Sequence, residues 1–345
     1  MAKPFFGLDI GTSSIKVVQL IKDGKLNKLV AIGSTTTPER GLASESELDH
    51  RTMAEVIKKL VQDSKITSDF VVTALPEAQV FTRVIEMPAL SDQEVASAIK
   101  WEAEQYIPLP LSEVTLDYQV LHMPREKTPE AKMDVLLVAS PTILINKYLR
   151  VLEMAELSPL ALETEIIAIS RTLIGNVSSS PTTILINIGA STTDIAIIQE
   201  GLIIFTRSIA TGGVALTRAI ATELGLEMTQ AEEYKKSYGL DKSRLQGKIV
   251  TALKPIFDVI VNEIKRALNF YTSRWPNTPI KRVVLTGGTA RIPGIVIYLA
   301  ESLGLEVQIC DPWFSITKDE RIAQILVEEA PTYAAAVGLA LKNLS

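Results

Sequence analysis

One pattern occurs twice in this chain, and it restricts the fold more than anything else in the sequence. Leu8-Asp9-Ile10-Gly11-Thr12-Ser13-Ser14-Ile15-Lys16-Val17-Val18 aligns without a gap on Ile186-Asn187-Ile188-Gly189-Ala190-Ser191-Thr192-Thr193-Asp194-Ile195-Ala196. Each copy is an apolar strand, a tight turn of Gly and small hydroxyl residues, and a second apolar strand. A turn of this composition aims several backbone N–H groups into one concavity, and such a nest binds phosphate. Two nests on facing halves of one chain are placed to clamp a polyphosphate from both sides.

The duplication runs past the turns. The first copy is followed by the hairpin signal Asp23-Gly24 and the apolar run Leu29–Ile32, the second by Glu200-Gly201 and Leu202–Phe205. Each half is thus expected to open with a three-stranded meander. Helical patterns follow, Met53–Gln62 in the first half and Val214–Glu223 in the second, and Ser178-Ser179-Ser180-Pro181 reads as the linker between halves. Within the first half, Phe70–Leu75 is an expected strand. Val80–Glu86 leads to Ser91 and Glu94, a capping box that opens a helix to about Tyr106, where Ile107-Pro108-Leu109-Pro110 stops it. Residues 77–133 form a small αβ insertion, with the strand Met133–Ala139 returning to the first lobe. Thr142–Met154 is an expected helix, Ser158–Leu162 a strand and Glu165–Leu173 a helix. In the second half Thr229–Tyr238, capped by Thr229, and Gly247–Arg274 make 214–276 a mostly helical insertion. A strand at Arg282–Leu285, a helix near Pro293–Leu303, a strand at Glu306–Ile309 and a helix over Pro331–Leu344 complete the chain. Strands alternating with helices imply a mainly parallel sheet in each half.

Composition narrows the function. The 345 residues, 47% apolar and 22% charged, suit two soluble domains. A net charge of −5 argues against general affinity for nucleic acid or anionic lipid. Cys310 is the only cysteine, which excludes an internal disulfide, and His50 and His122 lie in no metal-ligand spacing. No signal-peptide pattern precedes the first strand, and no apolar stretch reaches the ~20 residues of a membrane span, so a cytoplasmic location is expected.

The residue types in the two turns point to phosphate chemistry. Gly11 permits close backbone approach, Thr12, Ser13 and Ser14 add hydroxyl donors, and Lys16 can reach a phosphate oxygen. Asp9, at the end of its strand, suits the waters of Mg²⁺. In the second copy Gly189, Ser191 and Thr192 repeat the donors, while Asp194 stands where the first copy has Lys16 and suits the metal or an aligned water. Gly287-Gly288, after a strand, leaves room for a flat base or an α-phosphate. Glu232 and Lys235, at i and i+3 on one helical face, suit a ribose. Glu165 suits either a general base or an acid at a helix N-terminus. Trp101 and Tyr106–Pro110 suit either a peptide groove or the core-packing end of a helix.

The order of these features, ending in the small-residue helix Ala334-Ala335-Ala336-Val337-Gly338, resembles the actin, Hsp70 and sugar-kinase superfamily over nearly the whole chain. The insertion at 77–133 is similar to subdomain 1C of the division protein FtsA. The segments Met87–Glu94 and Ile99–Pro108 resemble the signature of the PilM family, actin-like proteins of type IV pilus assembly. The resemblance implies an α/β, actin-like (ribonuclease H-like repeat) two-lobed fold with an FtsA-type 1C subdomain. Residues 1–76 and 134–180 would be subdomain 1A, 77–133 subdomain 1C, 181–213 and 277–345 subdomain 2A, and 214–276 subdomain 2B. It implies ATP and Mg²⁺ between the lobes, with Asp9 and Asp194 at the metal. It also implies a 1A/1C groove for the N-terminal peptide of PilN, an inner-membrane partner that would hold the protein peripherally at that membrane. Glu165 falls where bacterial actins keep a catalytic acid, with Ile166 in place of their Pro, so any hydrolysis is expected to be slow. Two other readings share the fold: a small-molecule kinase, for which no insertion loop supplies an obvious Asp base, and a self-associating FtsA-like filament protein.

Overall fold

A computed structural model describes residues 3–123, 131–173 and 181–342; the expected linker at Ser178–Ser180 lies outside them. The first lobe opens with β1 (Phe6–Ile10), β2 (Ser14–Asp23) and β3 (Leu26–Thr36), an antiparallel meander turned at Gly24. Next come α1 (Glu47–Asp63), β4 (Phe70–Leu75), β5 (Phe81–Pro88), α2 (Asp92–Glu104), β6 (Val114–His122) and β7 (Lys132–Pro141). The half ends with α3 (Thr142–Met154), β8 (Ser158–Thr164) and α4 (Glu165–Thr172). The second lobe repeats the plan: β9 (Thr183–Ile188), β10 (Thr193–Gln199) and β11 (Leu202–Ile209) form its meander. They are followed by α5 (Gly213–Leu224), α6 (Met228–Tyr238), α7 (Lys248–Arg274) and β12 (Arg282–Thr286). Then come α8 (Ile295–Leu303), β13 (Glu306–Ile309), β14 (Ile316–Thr317), α9 (Glu320–Glu329) and α10 (Ala334–Ala340).

The internal repeat is visible in strand order. The first sheet runs β14-β3-β2-β1-β4-β8 and the second β11-β10-β9-β12-β13. In both, an antiparallel meander occupies one side and parallel strands the other. β14, from the C-terminal part of the chain, adds itself to the edge of the first sheet. The two-residue turns of the meanders place Gly24 at φ 64° and Gly201 at φ 80°, a backbone region that glycine enters without a Cβ penalty.

Helices α4 and α10 lie between the two sheets. Ile166 and Ile169 of α4 pack with Leu185 and Val284 of the second sheet, while Ala168 packs with Val72 and Ala74 of the first. In α10, Ala334 and Ala335 join the second lobe's core and Ala336 and Val337 the first. The small side chains are a geometric necessity: a Cβ on Gly338 would overlap the Ala168 carbonyl oxygen, and one on Gly7 of β1 would overlap the Ala336 carbonyl oxygen. The opposite face of the first sheet is covered by α1 and α3 through Met53, Ile57, Val151 and Leu152. Helices α5 and α7 cover the second sheet through Leu216, Ile220, Phe257, Ile260 and Ile264.

The insertion is a three-stranded sheet, β5-β7-β6, with α2 across one face. Val95, Ile99 and Ala103 supply the helical stripe, and the Ser91–Glu94 capping box forms as expected. The strand expected to return to the first lobe, Met133–Ala139, instead pairs with β5 from Phe81↔Ala139 to Pro88↔Lys132, so the insertion's sheet continues to Pro141. A strand's alternation does not say which sheet it joins, and so the sequence placed its end too early. Helix α6 starts at Met228 behind Glu227, which forms a capping box with Gln230, and not behind Thr229. Pro331 lies in a short 3-10 turn ahead of α10.

Candidate functional site

The two repeated turns are built alike. In the first, Asp9 stands across the strand pair from Lys16 and Ile10 from Ile15; in the second, Asn187 stands across from Asp194 and Ile188 from Thr193. Each turn closes with the Gly amide donating to a carbonyl three residues on, Gly11 to Ser14 at 3.1 Å and Gly189 to Thr192 at 2.9 Å. The amides of Thr12, Ser13, Ser191 and Thr192 donate to no backbone carbonyl among the described residues. A threonine braces each turn. The Thr37 hydroxyl donates to the Gly11 carbonyl at 2.7 Å, and the Thr193 hydroxyl donates to that of Thr211, also at 2.7 Å.

Both turns open onto one cleft of about 970 Å³ between the lobes. Of the residues singled out in the sequence, Asp9, Gly11, Thr12, Ser13, Ser14, Lys16, Glu165, Gly189, Thr192, Glu232, Lys235, Gly287 and Gly288 line it. Ser191 is exposed at its turn and does not. Asp194 lies behind the lining, 1% exposed, and accepts hydrogen bonds from Ser208 at 2.5 Å and Thr192 at 3.3 Å. Among the lining residues that the sequence did not single out as ligands are Gly213, Arg291 and Tyr333. Gly213 opens α5, and its amide donates to the Gly189 carbonyl at 2.9 Å, so the second turn and the helix form one unit. The Gly212-Gly213 pair was the available signal: a Cβ on Gly213 would come within 2.8 Å of the Thr289 hydroxyl.

Buried acids at and behind the cleft are held above their ordinary range. Burial pushes the Asp9 carboxyl up, against the pull of Lys16. Burial also raises Asp194 to about 6. Glu165 is pushed well above the usual carboxylate range by burial and then by Asp9, Asp194 and Glu77, while the Asn187 amide, donating at 3.2 Å, holds it down. Glu77, absent from the sequence reading, is raised to about 7 by burial and by Asp194. Four carboxyls thus share one low-dielectric region, an arrangement a cation would relieve. The neighbouring Glu163 is committed elsewhere: both its oxygens meet Arg171 at 2.5 Å, and Lys342 adds a contact at 2.9 Å.

Lys235 is not free for a ligand. Its ammonium donates to the Gly213 carbonyl at 2.9 Å, the Thr217 hydroxyl at 2.8 Å and Glu232 at 2.6 Å. A lysine has three donors, and all three are used within the lobe. The residue therefore pins α6 to the start of α5. At the insertion, Trp101 is 75% exposed, while Arg83 covers the Tyr106 ring at 4.7 Å. No described helix is long and apolar enough to cross a membrane.

Residues 7–344 match the family model described as type IV pilus assembly protein PilM. A solved PilM-PilN type IV pilus biogenesis complex contains a chain with 28% identity and a TM-score of 0.87, covering 99% of both chains. Among curated relatives, the cell division protein FtsA of Enterococcus hirae is 23% identical, over 89% of this chain and 78% of its own length. MreB 5 of Spiroplasma citri, solved with AMPPNP bound, aligns over 98% of this chain and 95% of its own at 15% identity, with a TM-score of 0.53. The fold is therefore α/β and actin-like.

Proposed function

Since the chain belongs to the PilM family of type IV pilus assembly proteins, we propose that it is a nucleotide-dependent scaffold that binds ATP with Mg²⁺ between its lobes and, when loaded, holds the N-terminal peptide of a PilN-type inner-membrane partner. The observation that carries this reading is the pair of matched turns, at Gly11 and Gly189, opening onto one cleft.

The donor set fits the cofactors. The amides and hydroxyls of Thr12 and Ser13 on one side and the amide of Thr192 on the other, with Lys16 also lining the cleft, suit a polyphosphate. Among the described residues no three His, Cys, Asp or Glu side chains converge as direct metal ligands. Asp9 and the recessed Asp194 would then hold a Mg²⁺ largely through its waters, the habit of that ion. Bound Mg-ATP would supply a polyanion bridging both lobes and a cation offsetting the buried carboxyls. Gly287 and Gly288 would face the base or α-phosphate, and Glu232 the ribose, with Lys235 orienting it. Glu165 would align a water. With Ile166 in place of the Pro that follows this acid in bacterial actins, we expect any hydrolysis to be slow and regulatory.

In this reading 1–76 and 142–180 make subdomain 1A, 77–141 an FtsA-like subdomain 1C, 181–213 and 277–345 subdomain 2A, and 214–276 subdomain 2B. The 1A/1C groove takes the peptide in this reading, with Trp101, exposed on α2 of the insertion, as one of its contacts. The partner would then hold the protein at the cytoplasmic face of the inner membrane.

The test is capture of the protein by an immobilised PilN N-terminal peptide, with and without Mg-ATP. Capture that rises with Mg-ATP and loses that rise in Asp9→Ala, at unchanged circular dichroism, is expected. No capture in either condition contradicts the scaffold; turnover stimulated by a small acceptor would then indicate a kinase, and ATP-dependent polymers of the protein alone a filament.

A further inference from the structure

One edge of the insertion's sheet is open towards the second lobe. In the order β5-β7-β6, strand β5 pairs on one side only, and β11 is likewise the outermost strand of its sheet. The two edges touch where the Thr206 hydroxyl donates to the Thr82 carbonyl at 3.3 Å, and no ladder joins them among the described residues. From Arg83 onward the wall opposite β5 is the end of α7, Arg274 and Trp275, and a cavity of about 590 Å³ lies between. Pockets that hold ligands run from about 300 to 1,000 Å³. This one shares no lining residue with the nucleotide cleft, and none of its lining comes from 1–76 or 142–180, so it is not the 1A/1C groove either.

The Thr82 carbonyl, turned to β11, points away from β7. Backbone groups alternate sides along a strand, so the N–H and C=O of Val84 and Glu86 also face the cavity. Among the described residues they have no backbone partner outside the β5–β7 ladder. Ile85 and Met87 pack under α2, and Arg83 shares their face. Its guanidinium lies 4.7 Å from the Tyr106 ring and forms no ion pair among the described residues. On the other face Glu86 is offset by Lys132 at 2.6 Å and Arg274 at 3.7 Å, while Asp134, its register neighbour on β7, forms no ion pair there.

An open edge is a template for pairing with another chain. This one has room beside it, a free cation on one face and a free anion on the other. We propose that the edge of β5 takes up an extended segment of a protein partner as an added strand, with an acidic side chain toward Arg83 and a basic one toward Asp134. Successive side chains of a strand point to opposite faces, so the acid and the base must stand an odd number of residues apart. Main-chain bonds then supply the binding and the two charges the choice of partner. A free phosphate is a poorer match, because Asp134 and Glu86 line the same cavity and repel a dianion.

The probe is a phage-displayed library of random octapeptides, panned against the full chain with excess PilN N-terminal peptide present to fill any other peptide site. The wild type should enrich peptides that carry Asp or Glu at odd spacing from Lys or Arg. Arg83→Glu should turn the selected acid into a base and weaken the original peptides by about fivefold, the upper end for one cross-strand charge pair. Val84→Pro removes an outward N–H but no bond of the β5–β7 ladder, a change an edge strand tolerates, and should lose the enriched peptides. If Val84→Pro fails to fold, the charge reversal in Arg83→Glu decides alone. No enrichment by the wild type, enrichment at even spacing, or the same peptides kept by either folded variant overturns the proposal. None of these outcomes involves nucleotide, so the reading of the cleft stands or falls separately.

Discussion

Asn187 donates its side-chain amide to the Glu165 carboxyl at 3.2 Å, joining the first strand of the second lobe to the helix between the lobes. Asn187 is the register equivalent of Asp9: each stands across its strand pair, from Asp194 and Lys16 respectively. The two halves of the repeat have therefore diverged in charge at two positions, Asp9 against Asn187 and Lys16 against Asp194. The lobe that holds an acid across from its strand, at Asp194, carries an amide where the other lobe carries an acid.

Asn187→Asp would put a fifth carboxyl among Asp9, Glu77, Glu165 and Asp194 and remove a donor from Glu165. Burying an uncompensated charge costs several kcal/mol, so we expect a loss of about 2–4 kcal/mol without divalent cation. Mg²⁺ should recover part of it. Thermal melts of both proteins, with and without Mg²⁺, check this; a variant as stable as the wild type without Mg²⁺ contradicts the charge argument.

The pH dependence follows from the raised carboxyls. Glu77 ordinarily titrates at 4.5 but is raised to about 7 here, and Asp194 ordinarily at 3.8 but is raised to about 6. The folded state therefore holds protons that the unfolded chain has already released. Their contribution is fully present below the unfolded values and is lost as pH rises through 6 and 7. Glu77 alone accounts for on the order of 3 kcal/mol. Without Mg²⁺ or nucleotide, the melting temperature should fall between pH 5 and pH 8, and Glu77→Gln should flatten the upper part of that fall. A midpoint that rises over the range would refute the assignment.

Lys235→Met keeps much of the side chain's bulk and deletes three hydrogen bonds, to Gly213, Thr217 and Glu232. The Gly213 carbonyl and Glu232 lose a donor in a largely buried place, which costs about 1–3 kcal/mol. Urea unfolding should show that loss. Unchanged stability with weakened nucleotide binding would instead mean that the ammonium serves the ligand.

Gly338→Ala tests the packing of α10 on α4. Helix propensity alone favours Ala by about 1 kcal/mol. The new Cβ would overlap the Ala168 carbonyl oxygen, and overpacking of this kind costs about 1–3 kcal/mol or more. Net destabilisation in urea is expected; a more stable variant would show that the helices separate at little cost.

Much of this was legible in the letters. The repeat gave both meanders and both turns, because strand, Gly turn and strand are local features. Helix α3 and strands β4 and β13 run as expected, since their apolar period and stops agree. What was not legible depends on tertiary placement. Strand β7 reads the same whichever sheet it joins. β14 is two residues long, too short for a period to show, and α9 went unread before it packed Leu326 against Trp313. Lys235 looked like a ligand contact because it shares a helical face with Glu232; its other two acceptors, Gly213 and Thr217, lie on α5, which only the fold brings to it. Glu77 carried no signal, since only the fold brings Thr82, Thr164 and Asp194 around it.

The most direct measurement is a crystal structure of the protein grown with Mg-AMPPNP. The triphosphate should lie between the two turns, touched by Thr12 or Ser13 from one lobe and by Gly189 or Thr192 from the other, with the metal on the side of Asp9 and Asp194. Nucleotide seated against only one turn, or outside the cleft, would contradict the account.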